Sequence, residues 1–421
     1  MMKPNLFTAD SAKKELYMLL FIGALYSLGI FLSNTFVNIY LWKQTNDLVN
    51  LATYNLAIYI AQTIVFTLSG GWAKRIDRII ILRTGVFFLC LFFLLVLFTG
   101  EKAASYNLLL GGVLGIGYGM YWLAYSVLTF EVTEPETRDF FNGVSGLLQS
   151  LTGMIGPFVA GYVITRMNNS HGYTLIFAVS FFLFLLAVVC TAGIKRRAAE
   201  GKFGLMQPMK EIKHNAAWRN TVLAHVFQGI REGIFTFIIS IWVFIVTNSE
   251  LSLGTFNLVY SAFSFIFYYI ATRYIKSRQR KMAIFISGIV LSLSVLLLLI
   301  KLNFTTLLLY AAIIGMFYPI LFVPYLSLSY DVIGKARDAA KNRVEYIVLS
   351  DTATNIGRIL SVAALLAAIG IWSVASIPYV MFIVGIGPFF IYFFTRHITS
   401  YAPAASVKRL PKNEIAGDDN R

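Results

Sequence analysis

The chain has 421 residues, of which 58% are hydrophobic and 13% are charged, and it carries a net charge of +15. This composition excludes a soluble globular protein, because apolar runs of about 20 residues are long enough to cross the hydrocarbon core of a membrane. The basic excess does not indicate a nucleic-acid partner, since it is concentrated in alternate loops between the apolar runs.

In chain order the apolar runs predict twelve membrane-spanning helices. The first run is too long for a signal peptide and further spans follow it. The predicted spans are residues 16–42, 51–73, 79–100, 104–130, 141–165, 171–194, 218–247, 251–272, 282–300, 304–330, 345–369 and 371–395.

The second six runs repeat the first six at an offset of about 200 residues. Leu51-Ala-Thr-Tyr-Asn-Leu56 corresponds to Leu253-Gly-Thr-Phe-Asn-Leu258, and Phe130-Glu131-Val132 to Tyr330-Asp331-Val332. Many secondary transporters consist of two parallel repeats with the substrate site between them near mid-membrane. We therefore predict an all-α membrane protein with twelve transmembrane helices in two parallel six-helix repeats around a central cavity.

The loop charges predict the orientation of the chain. Basic residues cluster in the loops that we assign to the cytoplasm, as in the linker segment Lys195–Lys213, whereas the other loops hold few, among them Lys43 and Lys301. Both termini are expected in the cytoplasm of a bacterial cell with the chain in its plasma membrane. The predicted units are residues 1–194 (first bundle), 195–217 (cytoplasmic linker), 218–396 (second bundle) and 397–421 (disordered cytoplasmic tail). The linker could form either a short amphipathic helix or a flexible connection, because apolar residues stand among its charges: Leu205, Met206, Met209 and Ile212.

The loop after the second span carries a recognisable motif, Gly70-Gly-Trp-Ala73-Lys74-Arg75-Ile-Asp77-Arg78. It resembles the Gly-x-x-Ala-Asp-Arg-x-Gly-Arg loop of the major facilitator superfamily. Lys74 stands where the family has Asp, and Asp77 is the candidate to supply the gating ion pair from a shifted position. The resemblance implies a transporter fold with a cavity lined by span 7, which packs near span 11.

Span 5 contains Gly153-x-x-Gly156-Pro157-x-x-x-Gly161. This looks like the Gly-Pro motif that the family's exporters and antiporters carry. Drug/proton antiporters of the family often have an Arg within span 4, and this span has none between Asn107 and Phe130. The motif therefore favours an exporter without defining the subfamily.

Four ionisable residues fall inside predicted spans: Arg231, Glu232, Asp351 and Arg358. An unpaired charge at mid-membrane costs at least about 2.5–3.5 kcal/mol, so these residues require partners or a wet cavity. Helical rise places Glu232 about 20 Å and Arg358 about 22 Å from the inner surface. We hypothesise a network that pairs Glu232 with Arg358 and Arg231 with Asp351, acting as a proton switch. A static ion-pair lock between helices is the alternative.

Further polar and aromatic side chains are candidates for the proton path and the cavity. His225, Gln228 and Glu232 share one face of span 7, so His225 could extend a proton path. Asn and Gln within spans line cavities or join helices, and aromatic residues suit an amphipathic substrate. The candidate cavity residues are Asn34, Asn38, Gln62, Tyr26, Tyr118, Tyr121, Trp122, Tyr125, Gln228 and Tyr318.

Charged residues at the inner ends of spans 4 and 10 are candidates for gating. Glu131 and Arg138 follow span 4, and Asp331 and Arg337 follow span 10. We expect them to form paired salt bridges with the basic loops, where Gly70, Arg75, Asp77 and Arg78 lie. Ordinary solvated loop charges are the alternative.

The sequence thus predicts a secondary active transporter, without cofactor or metal, that exports a lipophilic or amphipathic small molecule in exchange for protons. The alternatives are proton-linked uptake of a small polar or anionic solute and a transporter-like membrane scaffold. Neither a nucleotide loop nor a nucleophile motif is found, so an enzyme is not expected. A monomer in contact with membrane lipid is expected.

Overall fold

The computed structural model describes residues 6–73, 75–132, 135–167, 169–194 and 203–398. Side chains at 6–13, 130–132, 135–140, 142–143, 169–170, 339–341 and 343 lie outside this description. Throughout the described ranges the regular structure is helical, and none of these residues forms a strand. This confirms the all-α class.

Six long helices form the first half. They are α1 (Leu6–Thr45), α2 (Leu48–Ala73), α3 (Arg78–Thr99), α4 (Asn107–Val132), α5 (Pro135–Arg166) and α6 (Asn169–Cys190).

The second half follows a short helix, α7 (Met206–His214), which lies in the predicted linker. Of the two alternatives for this segment, the helix is therefore the one found. The remaining helices are α8 (Ala216–Thr247), α9 (Glu250–Tyr274), α10 (Arg280–Ile300), α11 (Phe304–Lys335), α12 (Ala339–Trp372), α13 (Ile377–Gly385) and α14 (Gly387–Thr395).

Eleven described segments are long and apolar enough to span a membrane. One of them, Arg78–Thr129, contains both α3 and α4, which are separate spans joined by a 3-10 turn at Gly100–Tyr106. The predicted last span is divided into α13 and α14. The break falls at Ile386–Gly387, directly before Pro388, whose ring nitrogen has no hydrogen to donate to a preceding turn.

Helix contacts repeat from one half to the other. In the first half α1 packs on α5 and α6, α2 on α4, and α3 on α4 and α6. In the second half α8 packs on α12 and α14, α9 on α11, and α10 on α11 and α14. These are the same pairs in the same order, so the sequence repeat corresponds to a structural repeat.

The turns between corresponding helices also repeat. Asn46 after α1 and Asn248 after α8 both adopt the left-handed conformation, with φ of 49° and 48°. Their backbone N–H groups donate to the carbonyls of Trp42 and Phe244. Asparagine tolerates this conformation better than most residues. It therefore allows each helix to be followed by the next after a turn of two residues.

The two halves meet mainly through α2 with α12 and α5 with α9. We call the end of the bundle that carries α7 and the α2–α3 loop the linker end. The opposite end, which carries the α1–α2 and α8–α9 turns, is the distal end. Trp218 fixes α7 to the linker end, because its Nε1 donates to the Pro208 carbonyl over 3.0 Å.

Candidate functional site

Glu232 and Arg358 form an ion pair near the middle of α8 and α12. Arg358 Nη2 donates to Glu232 Oε2 over 2.6 Å, and Nη1 donates to Asn355 Oδ1 over 2.9 Å. Glu232 Oε1 accepts hydrogen bonds from Gln228 Nε2 and the Tyr318 hydroxyl, each over 2.9 Å. The carboxylate thus has three donors around it, which offsets the loss of water at this depth.

Small residues allow α8 and α12 to approach closely enough for this pair. A Cβ atom at Gly229 would collide with the Thr354 carbonyl oxygen, and one at Gly357 would collide with the Val226 carbonyl oxygen. The two backbones are therefore in direct contact, as small residues permit inside membranes. Both glycines lie within one turn of the ion pair, so the close approach fixes its geometry.

Tyr59 brings the first half into this site. It lies on α2, and its hydroxyl donates to the Gly233 carbonyl over 3.2 Å and lies 3.3 Å from Thr236 Oγ1. The Arg358 guanidinium stands 5.6 Å from the centre of the Tyr59 ring, within range of a cation–π interaction. The ion pair is therefore placed where α2 of one half crosses α8 and α12 of the other.

Arg231 does not pair with Asp351, contrary to the sequence-based hypothesis. Its Nη2 donates to the Tyr310 hydroxyl over 3.5 Å, and its guanidinium lies 5.1 Å from the centre of the Phe235 ring. Successive residues on a helix point about 100° apart. Since Glu232 faces α12, Arg231 faces α11 instead and turns away from Asp351.

His225 joins three helices of the second half. Its Nε2 lies 3.0 Å from Ser329 Oγ on α11, and its Nδ1 lies 3.3 Å from Thr354 Oγ1 on α12. Asp351 is half-buried one turn from Thr354 and has no ion pair with a described residue. The structure thus places His225 on α8 three residues before Gln228 and in contact with α11 and α12, without a hydrogen bond to Glu232.

Most predicted aromatic cavity residues of the first half pack against one another. Tyr26 and Tyr121 are stacked with ring centres 3.6 Å apart and are only 4% and 1% exposed. Trp122 packs edge-on against Tyr26, and Tyr125 stacks on Tyr121. Tyr118 is half-buried on the same helix. In this conformation the stack forms the core of the first half, because α1 and α4 press these rings together.

The predicted polar residues of α1 and α2 mostly join helices. Asn55 Nδ2 donates to Asn38 Oδ1 over 2.9 Å, and Asn38 Nδ2 lies 3.3 Å from the Asn34 carbonyl. Gln62 is buried where α2 passes Gly119 of α4. Of the predicted cavity residues, Gln228 and Tyr318 are the two that contact the ion pair.

Gly70 lies where the linker crosses the interface between the halves. A Cβ atom there would come within 2.6 Å of Phe203 Cζ and 3.2 Å of Val348 Cγ2. Phe203 belongs to the linker and Val348 to α12. Arg75 is exposed in the loop that follows α2. The glycine of the predicted loop motif therefore lets linker, α2 and α12 meet.

Asp77 begins a helix and makes no ion pair with a described residue. Its Oδ1 accepts from the Ile79 backbone N–H over 2.9 Å, which caps α3. Its Oδ2 is buried without a hydrogen bond in the described part of the chain. Among the described residues Asp77 thus acts as a helix cap, and the gating pair expected from it stays a prediction. Arg78, the first residue of α3, is half-buried.

Asp331 does pair with a basic loop. Arg280 Nη1 lies 2.9 Å from Asp331 Oδ2, between the start of α10 and the end of α11. Arg337 is exposed, and its carbonyl accepts a hydrogen bond from Tyr346. The side chains of Glu131 and Arg138, the predicted counterparts in the first half, lie outside the described residues.

The Gly-Pro motif lies on α5 at Gly153, Gly156, Pro157 and Gly161. A Cβ atom at Gly161 would lie 2.5 Å from the Glu250 carbonyl oxygen, and one at Gly254 would lie 2.7 Å from that of Pro157. Gly156 packs on Leu32 of α1, and Gly153 faces Ser261 of α9. The motif thus builds the α5–α9 contact between the halves.

A second cluster between the halves, at the distal end, was not predicted. Lys43 Nζ of α1 lies 2.8 Å from Glu250 Oε1 of α9, and the Tyr173 hydroxyl of α6 donates to the same oxygen over 2.9 Å. Lys43 also stands 5.4 Å from the ring centres of both Tyr173 and Phe244. We call Lys43, Tyr173 and Glu250 the distal clamp. The sequence feature that could have indicated this cluster is Lys43, one of the few basic residues in the loops at the distal end.

A narrow cavity adjoins the ion pair inside the second half, with room for about one water molecule. No group of three or more described His, Cys, Asp or Glu side chains could hold a metal ion. The cavity lies among α8, α10, α11 and α14, and is lined by Gln228, Arg231, Glu232, Leu291, Tyr318, Leu321, Phe322, Pro388 and Ile391.

Two relatives are close in sequence. The chain is 54% identical over 386 residues to a Bacillus subtilis (strain 168) protein named Uncharacterized protein YqgE, which covers 91% of this chain and 90% of that protein. It is 56% identical over 168 residues to a Geobacillus stearothermophilus protein named for its place in the sodM 3' region, which covers 40% of this chain and 78% of that protein.

Solved structures of transporters share the fold. A POT family transporter in complex with 5-aminolevulinic acid superimposes with a TM-score of 0.66 at 11% identity, over 90% of this chain and 95% of that one. The human organic anion transporter MFSD10 (TETRAN) superimposes with a TM-score of 0.65 at 13% identity, over 90% of this chain and 99% of that one.

The family profile of the Major Facilitator Superfamily matches residues 19–362, most of the described helices. The solved relatives are transporters rather than enzymes. The apolar helices of the described residues, their repeated contacts and this match agree with the resemblance seen in the loop after the second span. The chain is therefore a multi-pass membrane transporter that belongs to the Major Facilitator Superfamily.

Proposed function

We propose that this chain is a proton-coupled transporter that exports a lipophilic or amphipathic compound by alternating access. The observation that carries the proposal is the Glu232–Arg358 pair, because it lies mid-helix where the two halves cross. Ionisable residues inside membrane spans are costly and commonly mark proton or substrate paths. A carboxylate that can change partners at this place is suited to coupling protons to movement.

Protonation of Glu232 is the proposed switch. The neutral carboxyl no longer attracts the Arg358 guanidinium, which retains Asn355 and the face of the Tyr59 ring. Since Tyr59 belongs to α2 and also bonds α8, a shift of Arg358 loosens the contact between halves. Gln228 and His225 extend the polar path along α8 toward Asp351.

The distal clamp is proposed as the outer gate. The excess of basic residues in the linker-end loops supports an orientation with that end and both termini in the cytoplasm and the distal end outside the plasma membrane. Lys43 and Glu250 belong to different halves, so the outer path opens only when this pair separates. At the linker end, the close packing of Gly70 on Phe203 of the linker and Val348 of α12 is the corresponding candidate for inner closure. The pair Arg280–Asp331 lies within the second half and joins α10 to α11.

The proposed substrate class is supported by the residues near the pair. Leu321, Phe322 and Ile391 make the cavity wall largely apolar, whereas Glu232 and Tyr318 provide a polar end. Such a lining favours a compound with an apolar body and a polar head. Uptake of a small polar or anionic solute is the second candidate, favoured by Arg231, whose guanidinium has no carboxylate partner among the described residues. The two solved transporters, one bound to 5-aminolevulinic acid and one named for organic anions, are compatible with it.

Proton flux in liposomes tests the proposal. Purified protein is reconstituted, a pH gradient is imposed, and internal pH is followed while amphipathic and anionic compounds are added. We expect a compound-dependent proton flux in the wild type that Glu232→Gln abolishes. Arg83→Gln serves as the control, because Arg83 binds Thr191 at the end of α6, away from the pair.

The direction of the flux separates export from uptake in vesicles of known orientation. Proton exchange against the compound supports export, and movement of both in one direction supports uptake. A folded wild-type protein that moves no proton with any compound would contradict coupled transport and favour the scaffold alternative.

A further inference from the structure

The start of α10 and the end of α14 are tied together at the linker end. Lys281 Nζ donates to the Arg396 carbonyl over 2.7 Å, and the ring centres of Phe285 and Tyr392 lie 4.7 Å apart between the same two helices. A cation at the last carbonyl groups of a helix is favourable, because those groups carry partial negative charge. The contact therefore brings the basic residues on either side of it to one place.

The first half contains the same connection without the same charge. Its helices α3 and α6 correspond to α10 and α14, and Arg83 of α3 donates to both Oγ1 and the carbonyl of Thr191. Thr191 is the first residue after α6, as Arg396 is the first residue after α14. Thr191 is buried and neutral, whereas Arg396 is exposed. The second half thus presents an additional cation at this position of the repeat.

The cations at this place have no carboxylate partner among the described residues. We define the basic corner as Arg278, Lys281 and Arg396. Lys281 retains two N–H groups after its bond to the carbonyl. Arg396 donates from Nε to His397 Nε2 over 2.9 Å, and its guanidinium lies 4.6 Å from the centre of the Phe393 ring. Its terminal nitrogens therefore remain available to an incoming anion.

The neighbouring acidic group does not neutralise the basic corner. Asp331 pairs with Arg280, which stands between Arg278 and Lys281 in the sequence, over 2.9 Å. This pair adds no net charge to its surroundings. The first backbone N–H groups of α10 contribute partial positive charge at the same end. The basic corner thus keeps an excess of positive charge.

An apolar surface continues from the basic corner toward the middle of the membrane. The corner stands at the membrane boundary, because α10 and α14 lie in the candidate spans Ser277–Ile300 and Val374–Thr395. Met282 and Ile286 are exposed on α10, and Phe389 and Phe393 are exposed on α14. Residues four apart share one face of a helix, so each pair forms an apolar stripe that leads away from the charges. A free phosphate would contact the cations alone, whereas a phospholipid would also contact the stripes.

We propose that the basic corner binds the phosphate headgroup of an anionic phospholipid, whose chain lies along the exposed stripes of α10 and α14. Basic clusters at the ends of membrane helices attract anionic headgroups, and guanidinium groups donate paired hydrogen bonds to phosphate. The bound lipid would hold α14, a helix of only nine residues, in place against α8 and α10. The site is independent of the proposed transport function, because it requires neither a proton nor a transported compound.

Thermal unfolding in mixed micelles tests the proposal. Purified full-length protein in an uncharged detergent is titrated with phosphatidylglycerol, with phosphatidylcholine of the same chains, and with glycerol phosphate, at constant ionic strength. We expect a saturable rise of the unfolding midpoint with phosphatidylglycerol only. An equal rise with phosphatidylcholine would indicate binding of the chains alone, and an equal rise with glycerol phosphate would indicate binding of a free phosphate ester. Either result, or no rise with phosphatidylglycerol, would overturn the proposal.

Variants of the basic corner locate the effect. Arg278→Gln and Arg396→Gln change exposed side chains, so both proteins should fold. Each should increase the phosphatidylglycerol concentration for half the rise about fivefold, because a cation near the lipid surface is lost. Arg396→Lys keeps the charge and should cause a smaller increase.

Arg219→Gln is the matched control, because Arg219 is also exposed at the linker end but lies in the first turn of α8. It removes the same charge away from the basic corner and should leave the concentration for half the rise unchanged. An increase with Arg219→Gln as large as that with Arg396→Gln would indicate a diffuse electrostatic attraction and overturn the site. Wild-type behaviour of both Arg278→Gln and Arg396→Gln would overturn it as well.

Discussion

Arg358 of α12 and Glu232 of α8 are joined over 2.6 Å at the level where the hydroxyl of Tyr59, from the other half of the molecule, bonds α8. Three helices from two repeats thus share one ion pair. In the proposed mechanism, a change in the charge of Glu232 acts first on Arg358 and then on the contact between the halves. The predictions that follow test this arrangement.

The ion pair should be more sensitive to the loss of one partner than to the loss of both. Arg358→Gln leaves the Glu232 carboxylate partly buried without its cation, which costs about 3–5 kcal/mol when a buried pair is broken. Glu232→Gln with Arg358→Gln removes both charges and should recover most of that stability. Thermal unfolding of the three proteins in the same detergent measures this. A double variant less stable than Arg358→Gln would contradict it.

The backbone contact between α8 and α12 should tolerate no side chain. Gly229→Ala introduces a Cβ atom into the Thr354 carbonyl oxygen, and overpacking of this kind costs about 1–3 kcal/mol or more. We expect little folded protein and loss of transport. The matched control is Gly370→Ala, near the end of α12, where a Cβ would meet nothing within 4 Å. Alanine should be neutral or slightly stabilising there, and membrane yield with size-exclusion profiles distinguishes the two.

Tyr59 should contribute through its ring more than through its hydroxyl. Tyr59→Phe removes a hydrogen bond to a helical carbonyl, and such a bond contributes about 0.5–1.5 kcal/mol. Since that carbonyl belongs to α8, which supplies it with a helical partner, the effect should be near the lower limit. Tyr59→Leu also removes the cation–π contact with Arg358 and should reduce transport further. Equal transport by the two variants would argue against a role for the ring.

The distal clamp should control access from its own end. Glu250→Gln weakens the attraction for Lys43, so the distal end should open more often. The measurement is the labelling rate of a cysteine placed at Tyr59 by a membrane-impermeant maleimide, in a background without Cys90 and Cys190. Faster labelling than in the same background with Glu250 is expected. Lys301→Met is the control, because Lys301 is exposed at the same end; equal rates for Glu250→Gln and this control would count against the gate.

Two tyrosines from the predicted cavity should behave differently. Tyr318→Phe removes a hydrogen bond to Glu232 and should change the pH at which transport is half-maximal. Tyr26→Phe preserves the stack with Tyr121 and should leave that midpoint unchanged. Transport measured across a pH series separates them. A shift with Tyr26→Phe as large as that with Tyr318→Phe would show that the first-half stack takes part in coupling.

Sequence reasoning found the membrane helices, the repeat and the Glu232–Arg358 pair. Apolar length is sufficient for a span because the bilayer imposes it, whatever the neighbouring helices are. The Glu232–Arg358 pair was predicted because both residues lie at a similar depth in the membrane. The family resemblance also implies that their two helices pack near each other. The division of the last span at Gly387-Pro388 could have been predicted from these two residues. The predicted span nevertheless continued through them to residue 395.

Which residue each charged side chain contacts depends on the direction in which it points from its helix, and the tertiary structure alone decided that direction. Depth placed Arg231 within reach of Asp351, but the rotation of α8 turns Arg231 to Tyr310 instead. That rotation is set by contacts such as Gly229 against α12, which no periodicity within α8 records. The distal clamp is similar, because Lys43 and Glu250 are 207 residues apart and only the docking of the halves brings them together. The amino-acid sequence by itself determined which segments enter the membrane, since that depends on local hydrophobicity, whereas the pairing of charges depends on helix rotation and packing between distant segments.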